Sequence, residues 1–93
     1  MTFCLRRHWW LEIAAGRKTV EYRAIVPFWT SRLKNLKPGD RIFFRRGRFD
    51  GFSDIHAILD RIDIGPCPHP GWPSEVYRIH FHLEKTPYKW RLF

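Results

Sequence analysis

The feature that most constrains the fold is the strict alternation of apolar and polar side chains in residues 76–84. Every second position is apolar, namely Tyr77, Ile79, Phe81 and Leu83. A period of two residues places these four side chains on one side of an extended strand. A strand with a single apolar face is stable when a sheet packs that face against a core. The segment therefore predicts a β-sheet, and other parts of the chain must supply its remaining strands.

Four further segments are predicted to be strands, which gives five in total. Each is rich in β-branched or aromatic residues: 2–6, 19–25, 41–46 and 53–64. In the last of these segments the apolar side chains change from odd to even positions after Leu59, which predicts a β-bulge. Residues 65–75 contain four prolines and two glycines and so predict a structured loop without regular pairing.

Two short helices are predicted near the N-terminus. Residues 8–15 have apolar side chains at helical spacing and are followed by Gly16, which suits a left-handed C-cap. Pro27 is well placed to start a second helix over residues 28–36. Five strands and two helices in 93 residues predict one α+β domain, residues 1–93, built on a strongly curved sheet or small β-barrel.

The positive charge of the chain is concentrated in its N-terminal half. The net charge is +8, and residues 1–48 hold 12 basic and 3 acidic side chains, whereas residues 49–93 hold 5 and 6. Arginine outnumbers lysine by 12 to 5, and guanidinium groups suit phosphates and base edges. Such a distribution favours a polyanionic partner, of which nucleic acid is the commonest. A soluble protein whose charge has no specific role is the alternative.

Composition also narrows the class of protein. No stretch of about eighteen uncharged apolar residues occurs, and the first residues lack the apolar segment of a signal peptide, so no membrane association is expected. Cys4 and Cys67 are too few for a disulfide scaffold, although a single bridge between them stays open. These observations predict a reduced, cytoplasmic protein, with Cys4 buried in the first strand.

Histidine and cysteine residues in the C-terminal half raise the question of a metal site. Cys67, His69, His80 and His82 offer four donors, but their spacing matches no zinc motif, and the prolines around Cys67 explain that loop as a rigid connection. The sequence therefore predicts no metal and no cofactor. His80 and His82 lie opposite the apolar face of their strand, so they are alternative candidates for the lining of a binding cleft.

The densest group of ionisable side chains is Gly-Arg-Lys-Thr-Val-Glu-Tyr-Arg at residues 16–23. Glu21 and Arg23 differ by two positions and should share one face of the second strand. A carboxylate between Lys18 and Arg23 would be held ionised, and it could bind a base edge or orient the lysine. The alternative is a surface ion pair worth at most about 1 kcal/mol.

A second basic segment runs from Arg41 to Arg48 and alternates aromatic with basic residues. This composition suits phosphate contact combined with base stacking. We expect Phe43 or Phe44 to be buried in the core and the arginines to be the functional part of the segment. The alternative is an ordinary strand whose arginines are merely solvated. Five tryptophans exceed what a core of this size requires, so an exposed tryptophan, or Tyr22, would supply a stacking surface.

The motif Gly16-x-Lys18-x-x-Glu21-x-Arg23, an aromatic-containing helix after it and the Lys-Pro-Gly-Asp turn at residues 37–40 together resemble the ASCH domain of the PUA-like superfamily. The similarity covers about residues 3–44. It implies a small β-barrel of PUA-like type, helices beside it and a cleft lined by the charged residues of the motif. It also implies binding of RNA or of a modified nucleotide.

Some small ASCH proteins are enzymes. One branch hydrolyses the acetyl amide of N4-acetylcytidine, and another has been described as a ribonuclease. Lys18 matches the catalytic lysine position of the amidohydrolase branch. That branch has a threonine where this chain has Glu21, and its further catalytic glutamate has no evident counterpart here. Binding is therefore ranked above catalysis.

The sequence thus predicts an RNA- or nucleotide-binding module, with DNA as a weaker candidate ligand. The residues predicted to form the site are Arg17, Lys18, Glu21, Tyr22, Arg23, Arg45, Arg46 and Arg48. In a hydrolase, Lys18 would be the base or activated amine and Glu21 its carboxylate partner. A protein-interaction module for an acidic protein is the third interpretation. The oligomeric state and the choice of ligand do not follow from the sequence.

Overall fold

A computed structural model describes residues 1–47 and 54–84 of the chain. The elements follow the order β1 (Thr2–Leu5), α1 (Arg7–Ala14), β2 (Val20–Arg23), α2 (Pro27–Leu33), β3 (Arg41–Arg46), β4 (Ile55–Gly65) and β5 (Val76–Leu83). The α+β class, the five strands and the two early helices are confirmed. Arg48 and Trp90 lie outside the described residues.

The five strands form one sheet in the order β1-β3-β4-β5-β2. β1 pairs with β3 in parallel, and the other three pairings are antiparallel. The sheet curls into a half-barrel whose two edges are β1 and β2. The edges approach each other, since Cζ of Arg23 in β2 lies 5.3 Å from the ring centre of Phe3 in β1. We call the gap between these two edge strands the seam.

The predicted bulge is present in β4. Leu59 pairs with Phe81 and Arg61 with His80, so Asp60 is the extra residue on the β4 side. A bulge reverses the parity of the side chains beyond it and increases the local bend of the strand. The strand can therefore be eleven residues long and still follow the curvature of the half-barrel.

The core lies on the concave side of the sheet and centres on Phe44. Its ring lies 5.6 Å from that of Phe3 and 4.6 Å from that of Phe81, while its neighbour Phe43 is half-buried. Burial of one such ring is worth roughly 1.5–3 kcal/mol. The indole Nε1 of Trp10 donates a 3.0 Å hydrogen bond to the carbonyl oxygen of Phe44, which attaches α1 to β3.

The end of α1 positions the charged segment that follows it. Gly16 has a φ of 80°, the left-handed conformation that glycine adopts readily, and its N–H donates to the carbonyl of Ile13. The N–H groups of Arg17 and Lys18 both donate to the carbonyl of Glu12, at 3.0 and 3.2 Å. The turn predicted at Gly16 is confirmed, and it fixes the backbone at Lys18 just before β2 begins.

The predicted burial of Cys4 is wrong. β1 alternates between buried and exposed positions, and Cys4 lies on its exposed face between buried Phe3 and Leu5. Both cysteines are free thiols, so the bridge that the sequence left open is not formed. Within the part of the chain that the structure describes, no helix is long and apolar enough to cross a membrane.

Candidate nucleotide site at the seam

A cavity of about 630 Å³ opens at the seam. Both edge strands contribute to its lining, together with the start of α1 and the proline-rich loop between β4 and β5. The lining residues are Cys4, Leu5, Arg6, Trp9, Lys18, Glu21, Tyr22, Arg23, His69, Pro70 and Trp72. Its size lies in the range of about 300–1,000 Å³ typical of small-molecule sites.

One carboxylate holds two cations at the wall of this cavity. Nζ of Lys18 lies 3.3 Å from Oε1 of Glu21, and Nη2 of Arg23 lies 2.7 Å from Oε2. Glu21 is only 6% exposed. The alternative of a solvated surface ion pair therefore does not apply, because all three side chains are largely withdrawn from water.

Strand geometry explains how these side chains meet. Glu21 pairs with Ile79 of β5, and opposite residues of an antiparallel pair share a face, so Glu21 points toward the core side. Arg23, two residues further, lies on the same face. Lys18 precedes the strand, and its Nζ donates a 2.7 Å hydrogen bond to the carbonyl oxygen of Val20, which bends the side chain back over β2.

Arg23 has a donor atom that is not used. Its guanidinium lies beside the stacked rings of Trp29 and Phe3, with Cζ 4.8 and 5.3 Å from their centres. Nε is shielded from solvent and has no hydrogen-bond acceptor in residues 1–47 and 54–84, whereas Nη2, which is also shielded, lies 2.7 Å from Oε2 of Glu21. A buried donor without an acceptor costs about 1–3 kcal/mol.

Aromatic rings surround the lysine end of the cavity. Nζ of Lys18 lies 5.1 Å from the ring centre of Trp9 and 4.8 Å from that of Tyr22. The His69 ring lies among three others, 4.9 Å from Trp9, 5.3 Å from Tyr22 and 5.5 Å from Trp72. Burial raises the pKa of the Tyr22 phenol, so this group stays a neutral donor at physiological pH.

The charges that line the cavity are Arg6, Lys18 and Arg23 against Glu21, which leaves two positive charges in excess. Arg6 is exposed and forms no ion pair with any residue that the structure describes. Cationic groups beside flat aromatic rings suit a ligand that carries both an anion and a planar group. The wall therefore combines positive charge with aromatic faces.

The structure brings four of the predicted site residues together and places Arg17, Arg45 and Arg46 outside the cavity lining. Lys18, Glu21, Tyr22 and Arg23 line the cavity. Arg17 points elsewhere and forms hydrogen bonds of 2.9–3.1 Å with Glu12.

The basic residues of β3 lie away from the cavity lining. Nε and Nη2 of Arg45 each donate a 2.9 Å hydrogen bond to Asp54, and Cζ of Arg46 lies 5.5 Å from the ring centre of Trp10. Arg48 lies outside the described residues, so its predicted role stays a prediction.

Two basic lining residues, Arg6 and His69, were not predicted for this site. Arg6 directly follows the buried Leu5 of β1, and its place after an apolar position of a short strand is the signal that could have indicated it. His69 was considered only as a metal donor. Its contribution depends on the path of the loop after β4, which local sequence patterns do not determine.

The histidines of β5 lie on the other face of the sheet. Nε2 of His80 is 3.2 Å from Oδ1 of Asp63, and Nδ1 of His82 is 2.7 Å from Oδ1 of Asp60. Neither histidine lines the cavity. Among the residues described, no group of three or more histidine, cysteine, aspartate or glutamate side chains is arranged to hold a metal ion.

No protein-family model matches the chain, and no curated protein matches it. The resemblance to ASCH domains therefore rests on the motif at residues 16–23 and on the turn at residues 37–40.

Proposed function

We propose that the chain is an ASCH-like module of PUA-like type that binds RNA, or a nucleotide unit of it, in the cavity at the seam. The observation that carries this proposal is the convergence of Lys18, Glu21 and Arg23 on one concave wall beside aromatic rings. The half-barrel sheet supports it as well, because the cavity occupies the place where the two edge strands remain unpaired.

Each part of a nucleotide has a matching group in the cavity. Arg6 and Lys18 offer positive charge to a phosphate. Trp9, Tyr22 and Trp72 offer ring faces to a base, and base–aromatic stacking is worth about 1–3 kcal/mol per base. The carboxylate of Glu21 would accept hydrogen bonds from the amino or imino groups of the base edge.

Arg6 gives the sharpest test, because its removal leaves no buried charge without a partner. We expect Arg6→Ala to weaken binding of a fluorescently labelled single-stranded RNA about tenfold. It should also reduce the slope of log affinity against log salt concentration by about 0.7. Arg7→Ala is the matched control, because Arg7 is the adjacent exposed arginine and does not line the cavity. Binding without salt dependence, or equal losses for the two variants, would contradict the proposal.

A hydrolase acting on RNA or on an acylated nucleoside is the second candidate. The 3.3 Å contact between Lys18 and Glu21 at the cavity wall favours it, because a lysine–carboxylate pair can serve in proton transfer. The test is incubation with RNA and with N4-acetylcytidine. If the chain is such a hydrolase, we expect turnover of RNA or of N4-acetylcytidine. Lys18→Arg should abolish this turnover and leave the midpoint of thermal unfolding unchanged. Absence of turnover on both substrates, or turnover unchanged in Lys18→Arg, would exclude this candidate.

A further inference from the structure

A second, smaller pocket adjoins the cavity and shares one wall with it. This side pocket has a volume of about 300 Å³. The shared wall consists of Trp9, Lys18, Tyr22 and His69, which line both spaces. The remaining lining residues of the side pocket are Glu12, Arg17, Thr19, Val20 and Pro68. The proposed function uses only the cavity and leaves this space and Arg17 without a role.

The shared wall consists of rings that contact one another. His69 bridges Trp9 and Tyr22 with ring centres 4.9 and 5.3 Å away, and Nζ of Lys18 lies about 5 Å from both rings. A planar group in van der Waals contact lies about 3.5 Å from a ring. Two bases on opposite faces of one of these rings would therefore be about 7 Å apart.

That separation fits two successive nucleotides of one strand. Stacked nucleotides rise about 3.4 Å each along a strand, so an aromatic ring inserted between two neighbouring bases about doubles their separation. A ring that lines both spaces would therefore separate one base in the cavity from the next base in the side pocket.

Arg17 supplies a charge at the outer edge of the side pocket. Its side chain is 64% exposed, and hydrogen bonds from Nε and Nη2 to Glu12 fix the orientation of its guanidinium. Nη1 donates to no residue in the described part of the chain. A guanidinium that is held in place and has a free edge suits a phosphate oxygen.

We propose that the site binds two successive nucleotides of a single strand, one on each side of the wall formed by Trp9, Lys18, Tyr22 and His69, with Arg17 on a phosphate of the second. This inference rests on the proposed function. It narrows the ligand class to single-stranded oligonucleotides and makes a free mononucleotide a weak, partial ligand.

The length dependence of binding tests the two subsites. The probes are 5′-phosphorylated mono-, di-, tri- and tetrauridylates and the corresponding deoxy series, measured as competitors of a labelled single-stranded RNA. We expect the dinucleotide to bind about tenfold or more tightly than the mononucleotide, with little further gain beyond it. From the mononucleotide to the dinucleotide, the slope of log affinity against log salt concentration should become steeper by about 0.7. A gain of this size from mono- to dinucleotide in both the ribo and the deoxy series would support two subsites that accept either sugar.

Arg17→Ala separates the two proposals. It should remove most of the gain from mono- to dinucleotide and leave mononucleotide affinity unchanged. Arg32→Ala is the control of equal charge, since Arg32 is an exposed residue of α2 that lines neither space. Equal affinity for mono- and dinucleotide would overturn the second subsite and leave the proposed function intact. Affinity that rises steadily with length, or equal losses in Arg17→Ala for both ligands, would also overturn it. Absence of binding by every probe would overturn the proposed function itself.

Discussion

Two carboxylate clusters on opposite faces of the sheet differ in whether their hydrogen bonds are complete. On the outer face, Asp63 accepts hydrogen bonds of 2.7 and 3.1 Å from Nε and Nη2 of Arg78, and His80 lies 3.2 Å away. At the seam, Glu21 contacts Lys18 and Arg23, but Nε of Arg23 has no acceptor among the described residues. The outer cluster is a closed set of partners, whereas the seam cluster retains an unsatisfied donor and lines the cavity.

The two clusters also differ in their contact with water. The side chain of Asp63 is 32% exposed, and that of Glu21 is almost fully buried. Solvent screens the outer pairs, so they contribute little to stability. The charges at the seam are withdrawn from water and depend on one another for compensation. An incomplete set of hydrogen bonds in a buried cluster is therefore the feature that distinguishes a candidate site from a structural ion pair.

The largest expected effect is on stability. Glu21→Gln keeps the shape of the side chain but leaves Lys18 and Arg23 without their counter-charge. We expect it to lower the free energy of unfolding by about 3 kcal/mol, measured by urea denaturation at neutral pH. The matched change Asp63→Asn on the outer face should lower the free energy of unfolding by clearly less. Water can solvate the groups that lose the carboxylate there. Equal losses in the two variants would remove the distinction between the clusters.

The next effect is on ligand affinity. Arg23→Lys keeps a positive charge beside Glu21 but removes the planar guanidinium fork that lines the cavity. We expect it to weaken binding of single-stranded RNA about tenfold, because a hydrogen bond to a charged group is worth about 1.5–3 kcal/mol. Arg78→Lys is the matched change in the closed cluster and should leave affinity unchanged. A comparable loss in both variants would indicate that RNA responds to the general charge of the protein.

A smaller effect is expected in the pH dependence of the unfolding free energy. Hydrogen bonds from Arg78, and then from His80, hold the pKa of Asp63 well below its ordinary value of about 3.9. A carboxyl with a lowered pKa contributes stability above its unfolded pKa and loses that contribution as pH falls through the folded value. The difference in unfolding free energy between the wild type and Asp63→Asn should therefore be constant above about pH 5 and shrink below about pH 4. A difference that is independent of pH would contradict the assigned cause.

Much of the fold follows from local patterns, and part of the site does not. Alternation in residues 76–84 predicts β5, a parity change predicts the bulge at Asp60, and Gly16 marks the end of α1. The placement of Glu21 and Arg23 on one face follows from strand geometry alone.

Local sequence patterns do not predict the order of the strands in the sheet. Arg6 and His69 reach the cavity only because β1 and β2 are the two edges of the sheet and the loop after β4 passes beside them. Arg17 shows the reverse case. It is adjacent to Lys18 in sequence, yet its hydrogen bonds to Glu12 turn its side chain into the side pocket. Contacts distant in sequence, and the direction of a side chain after a tight turn, are set by tertiary packing.

The smallest expected effect comes from a glycine beside the closed cluster. A Cβ at Gly65 would lie 2.5 Å from Cζ of Arg78, so Gly65→Ala must displace the guanidinium from its position beside Asp63. Ala also restricts the unfolded chain, which stabilises the protein by about 0.4–1 kcal/mol and offsets the lost pair. We expect little net change in unfolding free energy, but a rise of the Asp63 pKa toward its ordinary value, measured by NMR titration. RNA affinity should stay unchanged, because the closed cluster lies on the face of the sheet away from the cavity. An unchanged pKa would show that Arg78 keeps its contact with Asp63, and a loss of affinity would show that the two clusters are not independent.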